Sequence, residues 1–394
     1  MKPPAIPRTI WALGFVSLFT DLGSEIVHSL LPVLLAGTLG ASVFAIGLLE
    51  GAAEALVLIT KVFSGYLSDA FGKRKPLVVL GYGLATLAKP IFPLADSVST
   101  VVAARMMDRF GKGIRGAPRD ALLGDLAPPQ IRGACFGLRQ SMDTVGAVLG
   151  PALAVALLWG LSNDISTVLW IAVIPGVIAV GLLLFIKEPD RTERPPARLP
   201  ITREGLSRLG RAFWKLTALG ALIALARFSE AFLVLRGSER GLSITWVPLV
   251  LVVMSLVYAL SAYPAGILSD RFPRHWLLAA GMFTLVLANV ALATASGYGV
   301  LFLGIALWGM HMGLTQGLLA SLIVDTAPPE YRGTAFGVFN LFSGVGLLVA
   351  SGAAGWLWDQ SGPAATFWLG ACTAALATLA IPMLINRSPT ALHT

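Results

Sequence analysis

Residues 122–137, LLGDLAPPQIRGACFG, recur at residues 322–337 as LIVDTAPPEYRGTAFG. Asp125 matches Asp325, Pro128 and Pro129 match Pro328 and Pro329, and Arg132 and Gly133 match Arg332 and Gly333. Working outward, GYLSDAFGKRK from Gly65 is echoed by GILSDRFPRHW from Gly266, and the pair Ser24 and Glu25 by Ser229 and Glu230. Three echoes in one order, at nearly one offset, are a poor match to chance. They mean two halves built alike.

The medium in which those halves fold follows from composition. Of 394 residues, 56% are hydrophobic and only 13% are charged, and the mean hydropathy is +0.78. No solvated surface is built from such a chain, so it belongs in a bilayer. A spanning helix takes about 20 residues, and segments of that length lie at 10–36, 42–66, 76–95, 98–121, 131–158, 166–186, 214–236, 243–268, 275–295, 299–323, 332–357 and 364–385. The expected fold is all-α, with twelve transmembrane helices in two pseudo-symmetric halves. Residues 1–186 form the N-terminal half, 187–213 a charged and proline-rich cytoplasmic linker, and 214–394 the C-terminal half. The apolar run after the basic start holds Asp21, Glu25 and His28 and no small-residue cleavage site, so it reads as a retained first helix.

The net charge of +8 raises the question of nucleic acid, but the basic residues recur in alternate loops rather than on one patch. Lys2, Arg8, Lys73, Arg74, Lys75, Arg132, the run from Lys187 to Lys215, Arg271, Arg274, Arg332 and Arg387 all fall on one side. The connections near Gly40, Asp96, Asn163, Ser296 and Ser361 hold almost none, and that near Ser238, with Arg236 and Arg240, is the exception. The positive-inside rule places both termini in the cytoplasm of a multi-pass inner (plasma) membrane protein. Cys135 and Cys372 fall in different halves and read as packing residues, with no disulfide or metal spacing.

The loop between the second and third helices carries Gly65, Asp69, Gly72, Lys73 and Arg74. This resembles the G-x-x-x-D-[RK]-x-G-[RK]-[RK] signature of the major facilitator superfamily, with Ala70 replacing the usual basic residue. The second copy keeps Gly266, Asp270, Arg271 and Arg274, with Pro273 where glycine is usual. The resemblance covers essentially the whole chain and implies a gating role for these residues, as salt bridges at the cytoplasmic helix ends. Arg105 with Gly111 and Gly113 is similar, at altered spacing, to the fourth-helix pattern of proton-linked members. Gly146, Gly150 and Pro151 resemble the fifth-helix run of the drug/proton antiporters, which implies export.

Ionisable groups inside a bilayer are costly and mark ion or solute paths. By helical periodicity, Asp21, Glu25 and His28 share a stripe on the first helix, and Glu50, Glu54 and Lys61 share one on the second. Arg105, Asp108, Arg109, Lys112, Arg115 and Arg119 do so on the fourth. At about 1.5 Å per residue, Asp21, Glu25, Arg109, Lys112, Arg227 and Glu230 lie near mid-membrane. Glu25, Asp21 and Glu230 are therefore the proton-coupling candidates. Arg105, Arg109, Lys112, Arg227, His311, Gln316 and Glu54 are the candidates for a substrate cavity. Arg139 and Asp143 read as a structural pair, His28 as either a titrating or a structural group, and Trp246 and Trp308 as interface or packing residues.

Repeated halves are the mark of secondary transporters, which hold the solute near the midplane between repeats. The expected function is proton-coupled export of a small organic solute by alternating access. The alternative is uptake or exchange of an organic anion on the basic fourth-helix face, whose surplus of cations suggests an anionic or zwitterionic solute. No nucleophile and base arrangement, HExxH, metal cluster or Walker sequence is present, which speaks against an enzyme or an ATP-driven pump. The expected partners are the solute, protons and the lipid bilayer, with no cofactor, no nucleic acid and a monomeric state.

Overall fold

The computed structural model describes residues 5–188 and 201–384. Twelve helical segments follow in order: α1 (Arg8–Thr38), α2 (Val43–Phe71), α3 (Lys75–Ala88), α4 (Val98–Leu126), α5 (Arg132–Gly160), α6 (Ile165–Phe185), α7 (Arg211–Glu239), α8 (Leu249–Arg271), α9 (Arg274–Thr294), α10 (Tyr298–Thr326), α11 (Arg332–Ser361) and α12 (Pro363–Leu384). Ten of them are long and apolar enough by themselves to cross a membrane. The other two fall short for opposite reasons. The 14 residues of α3 are completed by a 3-10 turn, Lys89–Ile91. The 29 residues of α4 are long enough, but charges from Arg105 to Asp125 interrupt their apolar character.

Local chemistry sets the helix ends. The Ser42 hydroxyl accepts from Ala45 N at the start of α2, and Ser97 accepts from Thr100 N at the start of α4, satisfying amides that a helix leaves open. At its other end α2 stops on Gly72, whose φ of +64° is strained for any residue with a Cβ. That geometry accounts for the loop glycine noted in the sequence.

α7 departs from the unbroken span 214–236 expected above. It is helical over Arg211–Ala226, leaves that geometry from Arg227 to Glu230, and resumes over Ala231–Glu239. Side chains meet the released backbone groups. Ser229 N donates to Ser351 Oγ at 3.1 Å, and Ala231 N to Ser229 Oγ at 3.2 Å. Irregular backbone is tolerated at such depth where protein supplies the partners.

Lipid tails are as apolar as leucine, so close packing at small residues, rather than water exclusion, holds such helices together. The repeat is visible in those joints. A Cβ on Gly81 of α3 would lie 2.6 Å from Arg115 Cβ of α4, and one on Gly281 of α9 would lie 2.5 Å from Thr315 Cγ2 of α10. Gly113 likewise meets Thr60 where Gly313 meets Ser261, and Gly146 meets the Leu18 carbonyl where Gly346 meets that of Ala221.

The two halves touch through α2 with α11, α5 with α8, and α1 with the second segment of α7. A Cβ on Gly47 or Gly51 would strike Ser351 or Leu348 of α11, so α2 and α11 lie backbone against backbone. The face bearing the loops at Gly40, Asn163, Gly241 and Gly362, opposite to the first described residues, is sealed. There Val27, Leu30 and Leu31 of α1 share one apolar core with Ala231 and Leu235 of α7. Asp359 of α11 caps α2 across the interface, accepting from Val43 N at 3.1 Å and Phe44 N at 2.8 Å. Thr245 Oγ1 donates to Asn163 Oδ1 beside it.

On the terminal face each half keeps its own core among the described residues. Ile10, Leu13, Val78 and Leu122 serve one half, and Phe213, Leu216, Ile323 and Val338 the other. Residues 189–200 of the expected linker, with residues 1–4 and 385–394 and hence Lys2 and Arg387, lie outside the described residues. The later part of the linker forms a short helix, Arg203–Arg208, that rests on the C-terminal half through Gly205 against Thr334, with Tyr331 OH donating to Glu204 Oε1 at 3.1 Å.

Candidate functional site

α1, α2 and α4 turn their ionisable stripes toward one another. Arg105 Nη2 donates to Glu50 Oε2 at 2.7 Å, and its Nη1 lies 3.9 Å from Asp108 Oδ2. Arg109 reaches Glu54 Oε1 at 3.2 Å and Asp108 Oδ2 at 3.1 Å. His28 Nδ1 is 3.3 Å from Glu25 Oε2, and its Nε2 is 3.8 Å from Glu50 Oε2. A continuous chain of charge thus runs through Glu25, His28, Glu50, Arg105, Asp108, Arg109 and Glu54. Burying an ion costs several kcal/mol unless partners and hydrogen bonds compensate, which is why each buried arginine here lies against carboxylates.

Nearer the terminal face a second group joins Arg119 to Asp120 at 3.1 Å and Arg139 to Asp143, with Arg119 Nη1 4.0 Å from Asp143. Arg139 and Asp143 are therefore paired, as their one-turn spacing suggests.

Not all interior charges are neutralised in this way. Asp21, Lys112, Arg227 and Glu230 are half-buried and form no ion pair among the described residues. Lys112 is within electrostatic reach of Asp21 and Glu25. Arg227 and Glu230 bracket the break in α7, and Glu230 is within reach of His28, Glu25 and Glu54 of the other half. Gly150 and Gly146 bring α5 against α1 at Glu25 and Asp21, where a Cβ would approach their Cβ atoms to 2.7 and 3.1 Å. The glycine run of α5 is thus a joint beside the acidic pair.

Other cavity candidates divide. Gln316 accepts from Tyr258 OH at 3.0 Å between α10 and α8, and Glu54 is partly open, with 34% of its side chain exposed. His311 is a departure from expectation. It is fully enclosed, with Nδ1 2.8 Å from the Gly281 carbonyl, so it faces α9 rather than the space between the halves. Arg105 is also fully enclosed and is held by its two carboxylates.

The loop residues gather at the terminal face. Arg74 Nε lies 2.9 Å from Asp125 Oδ2 and its Nη2 3.8 Å from Asp69 Oδ1, while Glu188 accepts from the Arg74 and Lys75 amides at 2.6 and 3.2 Å. Arg274 pairs with Asp325 in the other half. Each of these pairs links elements of one half. Gly65 faces Ala117 of α4, Lys73 and Arg271 are exposed, and the side chain of Asp270 lies outside the described residues.

Sequence reasoning missed the partners in these joints. Asp125 and Asp325 stand in the very repeat that decides the fold, and their recurrence was the available signal. Lys89 was missed too. It is buried, donating to Ser24 Oγ at 3.2 Å and Ala85 O at 3.3 Å. The signal was its standing as the one charged residue of the span 76–95.

Comparison with known proteins agrees with this architecture. The family model described as Major Facilitator Superfamily matches residues 13–243 and 218–394. The chain belongs to the major facilitator superfamily. An uncharacterized MFS-type transporter of Methanocaldococcus jannaschii is 32% identical over 381 residues, covering 95% of this chain and 94% of the relative. Multidrug resistance protein MdtH of Yersinia pestis is 24% identical over 354 residues, covering 88% and 86%. The crystal structure of a mutant of the nucleoside transporter NupG superposes with a TM-score of 0.80 at 13% identity, covering 96% of this chain and 100% of that one, a likeness of fold alone. As a superfamily member the protein is a multi-pass membrane transporter of small molecules.

Proposed function

We propose that this transporter exports a small organic solute in exchange for protons, by alternating exposure of the charged interior to the two faces. The observation that carries the reading is that several half-buried interior charges form no ion pair among the described residues, among them Asp21 and Lys112 in one half and Arg227 and Glu230 in the other. A transporter needs acids free to gain and lose protons, with neighbours whose charge makes the change matter. Glu25, Asp21 and Glu230 are the candidates, and Glu25 is the best connected, through His28. The 24% identical relative MdtH, named a multidrug resistance protein, supports export. The basic loops support an inner-membrane protein with both termini and the terminal face in the cytoplasm.

A second reading has support of its own. Arg105 and Arg109 are engaged by Glu50, Asp108 and Glu54, which leaves Lys112 and Arg227 to meet an anionic or zwitterionic solute. Uptake or exchange of an organic anion would use that pair. The test is transport into inverted membrane vesicles, with and without an imposed pH gradient, of matched cationic, neutral and anionic solutes. Gradient-driven accumulation supports proton-coupled export. Accumulation indifferent to the gradient, confined to anions and lost in Lys112→Gln or Arg227→Gln, replaces it with the second reading.

A further inference from the structure

Among the described residues, His28 is the one ring in the charged interior that touches two carboxylates on different helices, Glu25 on its own helix and Glu50 on α2. It lies directly below the sealed face, since its neighbours Val27, Leu30 and Leu31 belong to the apolar core that includes Ala231 and Leu235. Glu50 beyond it is almost fully enclosed, shares Oε2 with Arg105, and leaves Oε1 buried without a hydrogen-bond partner. The other charged groups that act on the ring are Arg105 from α4, Glu230 from α7 and Glu54 from α2.

A neutral imidazole has one N–H, whereas the imidazolium has two. Only the imidazolium presents a positive N–H to both carboxylates at once. Loss of one proton leaves either Glu25 or Glu50 facing a ring lone pair. Which carboxylates the ring can serve as a donor is therefore set by its charge, and a histidine is the side chain whose charge changes in the physiological range.

We propose that His28 relays protons between the sealed face and Glu25. When that face opens, Nε2 takes a proton from hydronium, so that an O–H bond breaks, an Nε2–H bond forms and water is released. Nδ1 then gives its proton to the Glu25 carboxylate at Oε2. An Nδ1–H bond breaks, an O–H bond forms, and the ring is neutral again as its other tautomer, with no change of oxidation state. The Glu50 carboxylate, held in place by Arg105, faces Nε2 at 3.8 Å and favours a proton there. This relay rests on the proton-coupled reading given above.

The experiment compares the parent protein with His28→Asn in proteoliposomes, measuring solute counterflow at equal pH and transport driven by a pH gradient across external pH values from about 5 to 8. Counterflow is expected to survive in His28→Asn, while gradient-driven transport falls by about tenfold or more and loses its dependence on external pH, as for removal of a proton-transfer group. If the parent itself shows no gradient-driven transport, the proton-coupled reading falls and the relay with it. If the parent is coupled and His28→Asn is coupled equally, with the same pH profile, His28 is a structural bridge and the relay alone is wrong. Should His28→Asn fail to fold, nitrogen-15 NMR of the histidine-labelled parent carries the test. Interconversion of imidazolium and neutral signals for His28 over that range supports the relay, and a signal unchanged throughout overturns it.

Discussion

In α4, Arg105, Asp108, Arg109, Lys112 and Arg115 crowd one face. At the matching positions of α10, aligned through Asp125 and Asp325, stand Ile305, Trp308, Gly309, Met312 and Thr315. The surrounding joints are the same in both halves, with Gly81 under α4 and Gly281 under α10, and Arg74 on Asp125 and Arg274 on Asp325. One half fills the space between those joints with ion pairs and the other with a buried tryptophan and aliphatic chains. The fold is thus carried by small residues at helix crossings. The charges are a burden laid on one half, which points to their use in function.

The sharpest contrast is between Glu50→Ala and Ile305→Val. Removing Glu50 leaves Arg105 in a fully enclosed site with only the more distant Asp108 at 3.9 Å, and breaking such a buried pair costs about 3–5 kcal/mol. Ile305→Val, at the position matching Arg105, trims one methyl for about 0.5–1.5 kcal/mol. Thermal unfolding of the detergent-solubilised protein is expected to rank them in that order, and equal losses would mean that the N-terminal charges are not bound into the fold.

Next come the shared joints. Gly81→Ala and Gly281→Ala both overpack a helix crossing, an effect of about 1–3 kcal/mol. The new methyl meets the backbone of α4 in the first case, with the Gly111 carbonyl 2.6 Å away, and mainly the movable Thr315 side chain in the second. Gly81→Ala is expected at the upper end of that range and Gly281→Ala at the lower, by the same measurement. A tolerated Gly81→Ala would break the claim that these glycines hold the repeat together.

Asp359→Ala removes a helix cap that crosses between the halves, worth about 1 kcal/mol. Its counterpart by the repeat, Trp159, is 80% exposed and has no carboxylate with which to cap a helix. Cysteines placed on the sealed face are expected to react faster with a membrane-impermeant thiol reagent in Asp359→Ala and at an unchanged rate in Trp159→Ala. The smallest effects belong to the loop arginines. Arg274→Ala breaks an exposed pair worth about 0–1 kcal/mol, and Arg74→Ala, at a more enclosed site, is expected at or just above that range.

Much of this was legible in the sequence. The repeat located the halves, apolar runs located the helices, and the stripes on α1, α2 and α4 announced a shared polar interior because helical periodicity fixes which residues share a face. What periodicity does not fix is rotation and partnering. His311 has the right depth but turns toward Gly281, and the repeat itself held the warning, since its match Gly111 sits against Gly81 in the other half. The break in α7 carries no proline or glycine. It depends on Ser351, a residue distant in sequence, to accept from the freed Ser229 amide, and no local reading finds such a partner. Glu50 stood on the predicted stripe, yet only the fold shows it binding Arg105 and facing His28.

The most direct measurement is solute-triggered proton movement in proteoliposomes, followed with an internal pH dye, for the parent and for Glu25→Gln. The expected result is that solute moves protons in the parent, and that Glu25→Gln still binds solute but moves none. Proton movement undiminished in Glu25→Gln would contradict coupling through Glu25 and send the search to Asp21 and Glu230.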